Sequence, residues 1–331
     1  MKRFLRVNSF VIGILLSVVL AGIAPEWGGE DSLIPVGFLR LAGVFLIFFN
    51  QGVVLPGEEL RRGFLEWRLH LYVQLCTYLF FPMMIGLGLW LSASFFVQED
   101  LRLGFLLLAF TPTTVTSAVA LVTLARGNVT GALFNCTLSS VIGVFLVPVM
   151  AVTFMGAGGV DGQVAIGGML GNIVLTILFP LVLGQLCRPR LKTLFGRHKT
   201  FFRRFNSGVI LFIVWAAFCQ SFLRKVWTGI SGADLTYTLI GVLLVLFAGG
   251  FLVWLGAGRL RLPPASRITA FYCGSQKTIA MGLPLSVMIF SGEEHGIELS
   301  LLVLPLLVYH PAQLILGGWL VPRFQRFASR P

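Results

Sequence analysis

The chain has 331 residues, 56% hydrophobic and only 11% charged, where a soluble globular protein carries about 25% charged residues. With a mean hydropathy of +0.90, a soluble enzyme and a disordered chain are excluded. The net charge of +12 does not indicate a nucleic-acid binder, which needs a basic face on a folded domain; here the basic residues lie in short loops between apolar runs.

A helix crossing the hydrocarbon core needs about 20 mostly apolar residues. On that ruler ten spans are expected, at about 8–24, 33–55, 70–96, 101–125, 128–154, 164–187, 206–223, 235–257, 268–291 and 297–321. The basic start Lys2, Arg3, Arg6 and the small residues at Ala21 to Ala24 resemble a signal peptide. Pro25 directly after the cleavage position argues for a first membrane helix instead. With the N-terminus placed in the cytoplasm, 20 of the 25 basic residues fall inside and four (Arg40, Arg102, Arg224, Lys225) fall outside. That asymmetry is the positive-inside signature. It places the chain in the plasma (inner) membrane as a multi-pass protein with both termini cytoplasmic.

Ten spans divide into five and five. An odd number per half makes the second half enter from the opposite side, the inverted repeat common among secondary transporters. The expected fold is therefore all-α and polytopic, with two inverted five-helix repeats. The fourth and ninth spans are interrupted by polar runs, Thr111–Ser117 and Cys273–Thr278. A spanning helix tolerates irregular backbone only where it lines a cavity or is buried in protein, so the two runs mark the candidate site.

One charge sits deep within an apolar span. Lys277 lies about ten residues into the ninth, where a charge costs about 2.5–3.5 kcal/mol on insertion scales. It can bind an anionic group, relay a proton, or stand in for a bound cation. Thr113, Thr114, Ser117, Asn135, Thr137, Ser275, Gln276 and Thr278 complete the candidate site, with Asn128, His310 and Gln313 in support. Any one hydroxyl among these equally fits a bond back to its own helix. His310 precedes Pro311, which frees a carbonyl one turn back that His310 or Gln313 can organise. No resident metal or organic cofactor is expected, because no second histidine or deep carboxylate joins His310. The five cysteines show no CxxC spacing and read as packing residues; Cys273 alone draws attention, through its neighbours.

The ten spans, the stretch TPTTVTSAVALVTLARGNVTGALFNCTLSSVIGVFLVP, the stretch YCGSQKTIAMGLPL and the run YHPAQLILGGWLVP together resemble the bile acid:sodium symporter superfamily, in its divergent bacterial and eukaryotic branch. The resemblance covers the whole chain as a single transmembrane unit, 1–331. It implies a panel domain from helices at about 8–55 and 164–223. It implies a core domain from helices at about 70–154 and 235–321, with the fourth and ninth spans unwound and crossing. Substrate would sit in the cleft between the domains, and rocking would alternate access. Sodium-coupled members hold two ions through a Ser-Asn pair after the first break, hydroxyls on the fifth span, and a Glu-x-x-x-Gln motif in the ninth. Here Ser117 and Gln276 match, but the remaining positions are Ala118, Ala132, Cys136 and Tyr272, and Lys277 replaces an asparagine.

An ammonium and a sodium ion 4 Å apart repel by about 4 kcal/mol at an effective dielectric of 20. The sequence thus points to a secondary transporter of a small organic anion, bile-acid-like or another amphipathic carboxylate, with Lys277 as a surrogate cation. Such transport is proton-linked, since burial favours a neutral lysine, or uncoupled. Two other readings remain: a non-transporting regulatory or scaffold protein of the same fold, and an intramembrane enzyme using Lys277 as base for Ser275 or Ser117. The partners expected are a small solute and the bilayer, with no nucleic acid and the oligomeric state open.

Overall fold

The computed structural model describes residues 9–29, 32, 34–54, 66–92, 98–155, 174–290 and 297–329. The basic start at Lys2, Arg3 and Arg6 and the first part of the sixth expected span, 164–173, lie outside the described residues. Every described element is helical: α1 Ser9–Ile23, α2 Val36–Val54, α3 Trp67–Leu91, α4 Glu99–Phe110, α5 Val115–Leu124, α6 Val129–Met155, α7 Phe179–Arg197, α8 Lys199–Leu223, α9 Gly232–Arg259, α10 Pro264–Ser275, α11 Ile279–Phe290 and α12 Leu299–Ala328. Six of them are long and apolar enough to cross a membrane, and α4 with α5, bent by 58°, makes up to seven. The protein is a polytopic helical membrane protein.

The chain divides into two compact units. The first comprises Met1–Leu55, Val160–Ser231 and Leu283–Leu302. Within it α2 and α7 pack backbone against backbone. A Cβ on Gly52 would lie 2.1 Å from the Leu181 carbonyl oxygen, and one on Gly184 would lie 2.2 Å from that of Phe49. Small residues allow such close approach where no hydrophobic force pulls helices together in lipid. Asn50 Nδ2 donates to Asn206 Oδ1 at 2.8 Å, tying α2 to α8.

The second unit comprises Pro56–Gly159, Gly232–Gly282 and Val303–Pro331. Its core is one buried apolar cluster in which Leu69 and Val73 of α3 meet Ala118 and Val122 of α5, Ala132 and Cys136 of α6, and Phe271, Tyr272 and Cys273 of α10. Helix ends here follow from local chemistry. Asn128 caps α6 by accepting the Gly131 N–H at 2.9 Å, the ordinary service of an N-cap amide. Both α5 and α9 end on an arginine in the left-handed region, Arg126 (φ 61°) and Arg261 (φ 54°). At each, the next N–H turns back to a carbonyl five residues earlier, Gly127 to Val122 and Leu262 to Ala257, which closes a Schellman motif.

Inside α3 the residues Cys76–Phe80 form a π-turn. The Phe81 N–H reaches back five residues to Cys76 O, so it does not serve Thr77 O, the partner of a regular α-turn. Pro82 follows and has no N–H to offer. The Thr77 carbonyl is thus left over by its own helix.

Candidate functional site

Both interrupted spans are broken in the structure, over shorter stretches than the polar runs suggested. The first break is Thr111–Thr114, with Val115–Ser117 already helical in α5; the second is Gln276–Thr278, with Cys273–Ser275 still helical in α10. Each break leaves helix-end carbonyls without intrahelical main-chain partners, and local side chains together with groups of the opposite break and α12 supply donors there. At the end of α4, Thr111 Oγ1 donates to Leu108 O at 2.9 Å, and Thr278 N–H donates to Pro112 O at 3.0 Å. At the end of α10, Thr113 Oγ1 donates to Cys273 O and Tyr309 Oη to Ser275 O at 2.7 Å, while Ser275 Oγ bonds back to Phe271 O within its own helix. The two breaks therefore bind one another directly, through Thr278 to Pro112 and Thr113 to Cys273.

Lys277 lies where they meet and is fully buried. Its Nζ donates to three main-chain oxygens, Ala109 O at 3.0 Å, Thr111 O at 3.1 Å and Thr77 O at 3.2 Å. Two of these end α4, and the third is the one stranded by the π-turn of α3. The Phe81 ring covers the same group, with Nζ 4.7 Å from its centroid. Hydrogen bonds to a charged group are worth about 1.5–3 kcal/mol each and a desolvated cation–π contact about 2 kcal/mol. Together they offset part of the cost of burying the charge.

The main chain of Lys277 is fixed as tightly. Gln313 of α12 accepts its N–H through Oε1 and donates Nε2 to its carbonyl, both at 2.7 Å. His310 Nδ1 lies 3.2 Å from that carbonyl and 2.8 Å from Gln313 Nε2. His310 and Gln313 thus organise the second break, where the sequence suggested the carbonyl freed by Pro311.

The other expected residues separate into two groups. Ser117 Oγ reaches both Thr114 Oγ1 at 3.1 Å and Gln276 Oε1 at 3.2 Å, while Thr278 Oγ1 accepts the Ala280 N–H at 3.2 Å and starts α11. These four lie at the breaks with Thr113, Ser275 and Lys277. Gln276 Nε2 is buried without a partner among the described residues. Asn135 instead turns to α3: its Nδ2 donates to His70 Nδ1 at 2.9 Å, and Gln74 Nε2 lies 3.3 Å from its Oδ1. Asn128 caps α6 and binds Glu66, whose second oxygen takes Ser266 Oγ at 2.8 Å. Thr137 is buried on α6 with no hydrogen bond to either break among the described residues.

Ala118, Ala132, Cys136 and Tyr272, the positions where the resemblance implied sodium ligands, all belong to the buried apolar cluster. The Tyr272 hydroxyl donates to Gly317 O at 2.8 Å. Cys136 and Cys273 bring their sulfurs to 3.7 Å as free thiols. A Ser–Lys dyad is not assembled, since Ser275 Oγ and Lys277 Nζ each donate to carbonyls. Sequence reasoning missed Thr77, Ala109, Phe81 and Ser139, whose Oγ accepts the Thr113 N–H at 3.2 Å. Only Phe81-Pro82 carried a signal, as a proline that frees a carbonyl behind it.

A polytopic helical protein with paired breaks around a buried charge has the architecture of a secondary transporter, in which discontinuous helices form the site. The sequence profile of the SBF-like CPA transporter family matches residues 8–326, and the chain belongs to that family. It is 32% identical over 326 residues to sodium/bile acid cotransporter 7 of Xenopus tropicalis, covering 96% of this chain and 92% of that one. It is also 32% identical over 327 residues to the putative symporter YfeH of Escherichia coli, covering 98% and 95%. An uncharacterized protein of Pseudomonas aeruginosa matches at 32% over 324 residues, covering 98% and 94%. The protein is a multi-pass membrane transporter of the bile acid:sodium symporter-like kind.

Proposed function

We propose that this transporter moves a small organic anion by alternating access without sodium. Its ten spans would form two inverted repeats, with panel helices at about 8–55 and 164–223 moving against core helices at about 70–154 and 235–321, in the plasma (inner) membrane with both termini cytoplasmic. The observation that carries the reading is the Lys277 ammonium, fully coordinated by carbonyls at the meeting of the two breaks. Three carbonyl acceptors match in number the three N–H donors of a charged amine. Lys277 therefore supplies fixed positive charge where sodium-coupled relatives of this fold recruit an ion.

Support comes from the positions around it. Sodium needs several oxygen ligands, and alanine, cysteine and a tyrosine turned to Gly317 stand at the positions implied for them. The N-termini of α5 and α11 open at the breaks, where helix dipoles favour negative charge. Among the described residues Gln276 Nε2 is a buried donor still open. The name of the cotransporter 7 relatives and the 30 phenylalanines of this chain point to an amphipathic carboxylate such as a bile acid.

The test is uptake of labelled taurocholate into proteoliposomes, with and without inward sodium and pH gradients. Uptake is expected at the same rate without sodium and without a pH gradient. Stimulation by a sodium gradient sinks the reading, and stimulation by a proton gradient replaces it with a titrating Lys277.

A further inference from the structure

The three oxygens around Lys277 Nζ come from two consecutive elements, α3 and α4, both distant in sequence from the lysine, and each element releases its carbonyls by a separate local cause. The π-turn and Pro82 strand Thr77 O. The end of α4 strands Ala109 O and Thr111 O. None of these groups is made by the lysine, so the acceptor set belongs to the fold of α3 and α4 rather than to the side chain that fills it. Its distances of 3.0–3.2 Å are those of N–H···O bonds and exceed the roughly 2.0–2.6 Å at which hard metal ions sit on oxygen. The aromatic face at 4.7 Å adds a cation–π contact to an ammonium seated there. Among the described residues no carboxylate pairs with Nζ, so recognition rests on carbonyl dipoles and one ring.

We propose that Thr77 O, Ala109 O, Thr111 O and the Phe81 ring form a binding site for a primary ammonium ion, which Lys277 occupies as a covalently tethered ligand. Lys277 is then a positioning residue: it fastens the π-turn of α3 to the end of α4 and so holds the first break open, instead of donating to the substrate. This inference rests on the reading of Lys277 as a built-in cation, but it is read out through stability and not through transport.

Truncation of Lys277 to alanine removes three methylenes and the ammonium, which is the outline of n-propylammonium. Purified Lys277→Ala is heated in detergent with n-propylammonium, with N,N,N-trimethylpropylammonium, which has no N–H, and with n-propanol, which has no charge. Only n-propylammonium is expected to raise the unfolding midpoint, by at least about 3 °C at saturation. Wild type and Lys277→Met, whose stems fill the space, are expected not to respond. An equal rise with the quaternary ion, an equal rise in Lys277→Met, or no rise at all overturns the proposal.

Where Lys277→Ala does not accumulate, cells are grown with each additive and the yield of monodisperse protein is measured. Recovery with n-propylammonium alone is expected, and recovery with none overturns the site. Lys277→Met provides a further check, because wild-type stability there would mean that the oxygens do not need a donor. Selective rescue together with sodium-driven taurocholate uptake in wild type keeps the site and removes the sodium-free function. Sodium-free uptake without rescue does the reverse.

Discussion

The two broken spans reach similar geometry from different causes. In the α4/α5 span the break carries Pro112, which cannot donate an N–H and crowds the carbonyl four residues earlier. In the α10/α11 span the break Gln276–Thr278 contains no proline, and Gly274 and Ser275 just before it remain helical. Gln276 turns to an extended conformation (ψ 142°), and Gln313 then takes both main-chain polar groups of Lys277 while the ammonium is held by α3 and α4. Proline is not decisive even in the first case. Helix α12 runs from Leu299 to Ala328 through Pro305, Pro311 and Pro322 without interruption. A break in this protein persists where the freed carbonyls find partners in another element, and the proline only makes the local cost smaller.

That contrast can be tested by removing each support. Gln313→Leu, close in volume, strips a donor and an acceptor from the second break and leaves the Lys277 N–H and C=O buried. It is expected to cost about 2–4 kcal/mol, read by the midpoint of thermal unfolding in detergent, and to abolish taurocholate uptake. A variant as stable as wild type would show that the second break is set locally after all. Thr113→Val removes the donor to Cys273 O with little change of shape, at an expected cost of about 1–2 kcal/mol and a partial loss of uptake. Pro112→Ala has the smallest expected effect, below about 1 kcal/mol with uptake retained. The carbonyls of Ala109, Thr111 and Pro112 keep their partners on Lys277 and Thr278. A helix that heals through residue 112, seen as lost stability and lost uptake, would return the first break to its proline.

Composition and spacing were enough to place the chain in the bilayer, to locate both polar interruptions and to isolate Lys277 as the deep charge. These features are legible because hydropathy, charge and proline act through residue type alone. The resemblance to the symporter superfamily, and not composition, marked Ala118, Ala132, Cys136 and Tyr272 as the positions where it implies sodium ligands. Asn135 was the amide expected at the break, yet it faces His70 and Gln74 on α3, since residue type says that a buried amide must be paired but not with which helix. Asn128 was expected to support the same site and instead caps α6. The partners of Lys277 were invisible for a deeper reason: every residue offers a main-chain carbonyl, and only the π-turn of α3 and the end of α4 decide which three are left without an N–H. Sequence determined that a charge had to be satisfied inside the membrane. Only the tertiary structure decided that main-chain oxygens freed by two interrupted helices would satisfy it, because a free carbonyl is a property of backbone geometry and not of the residue that carries it.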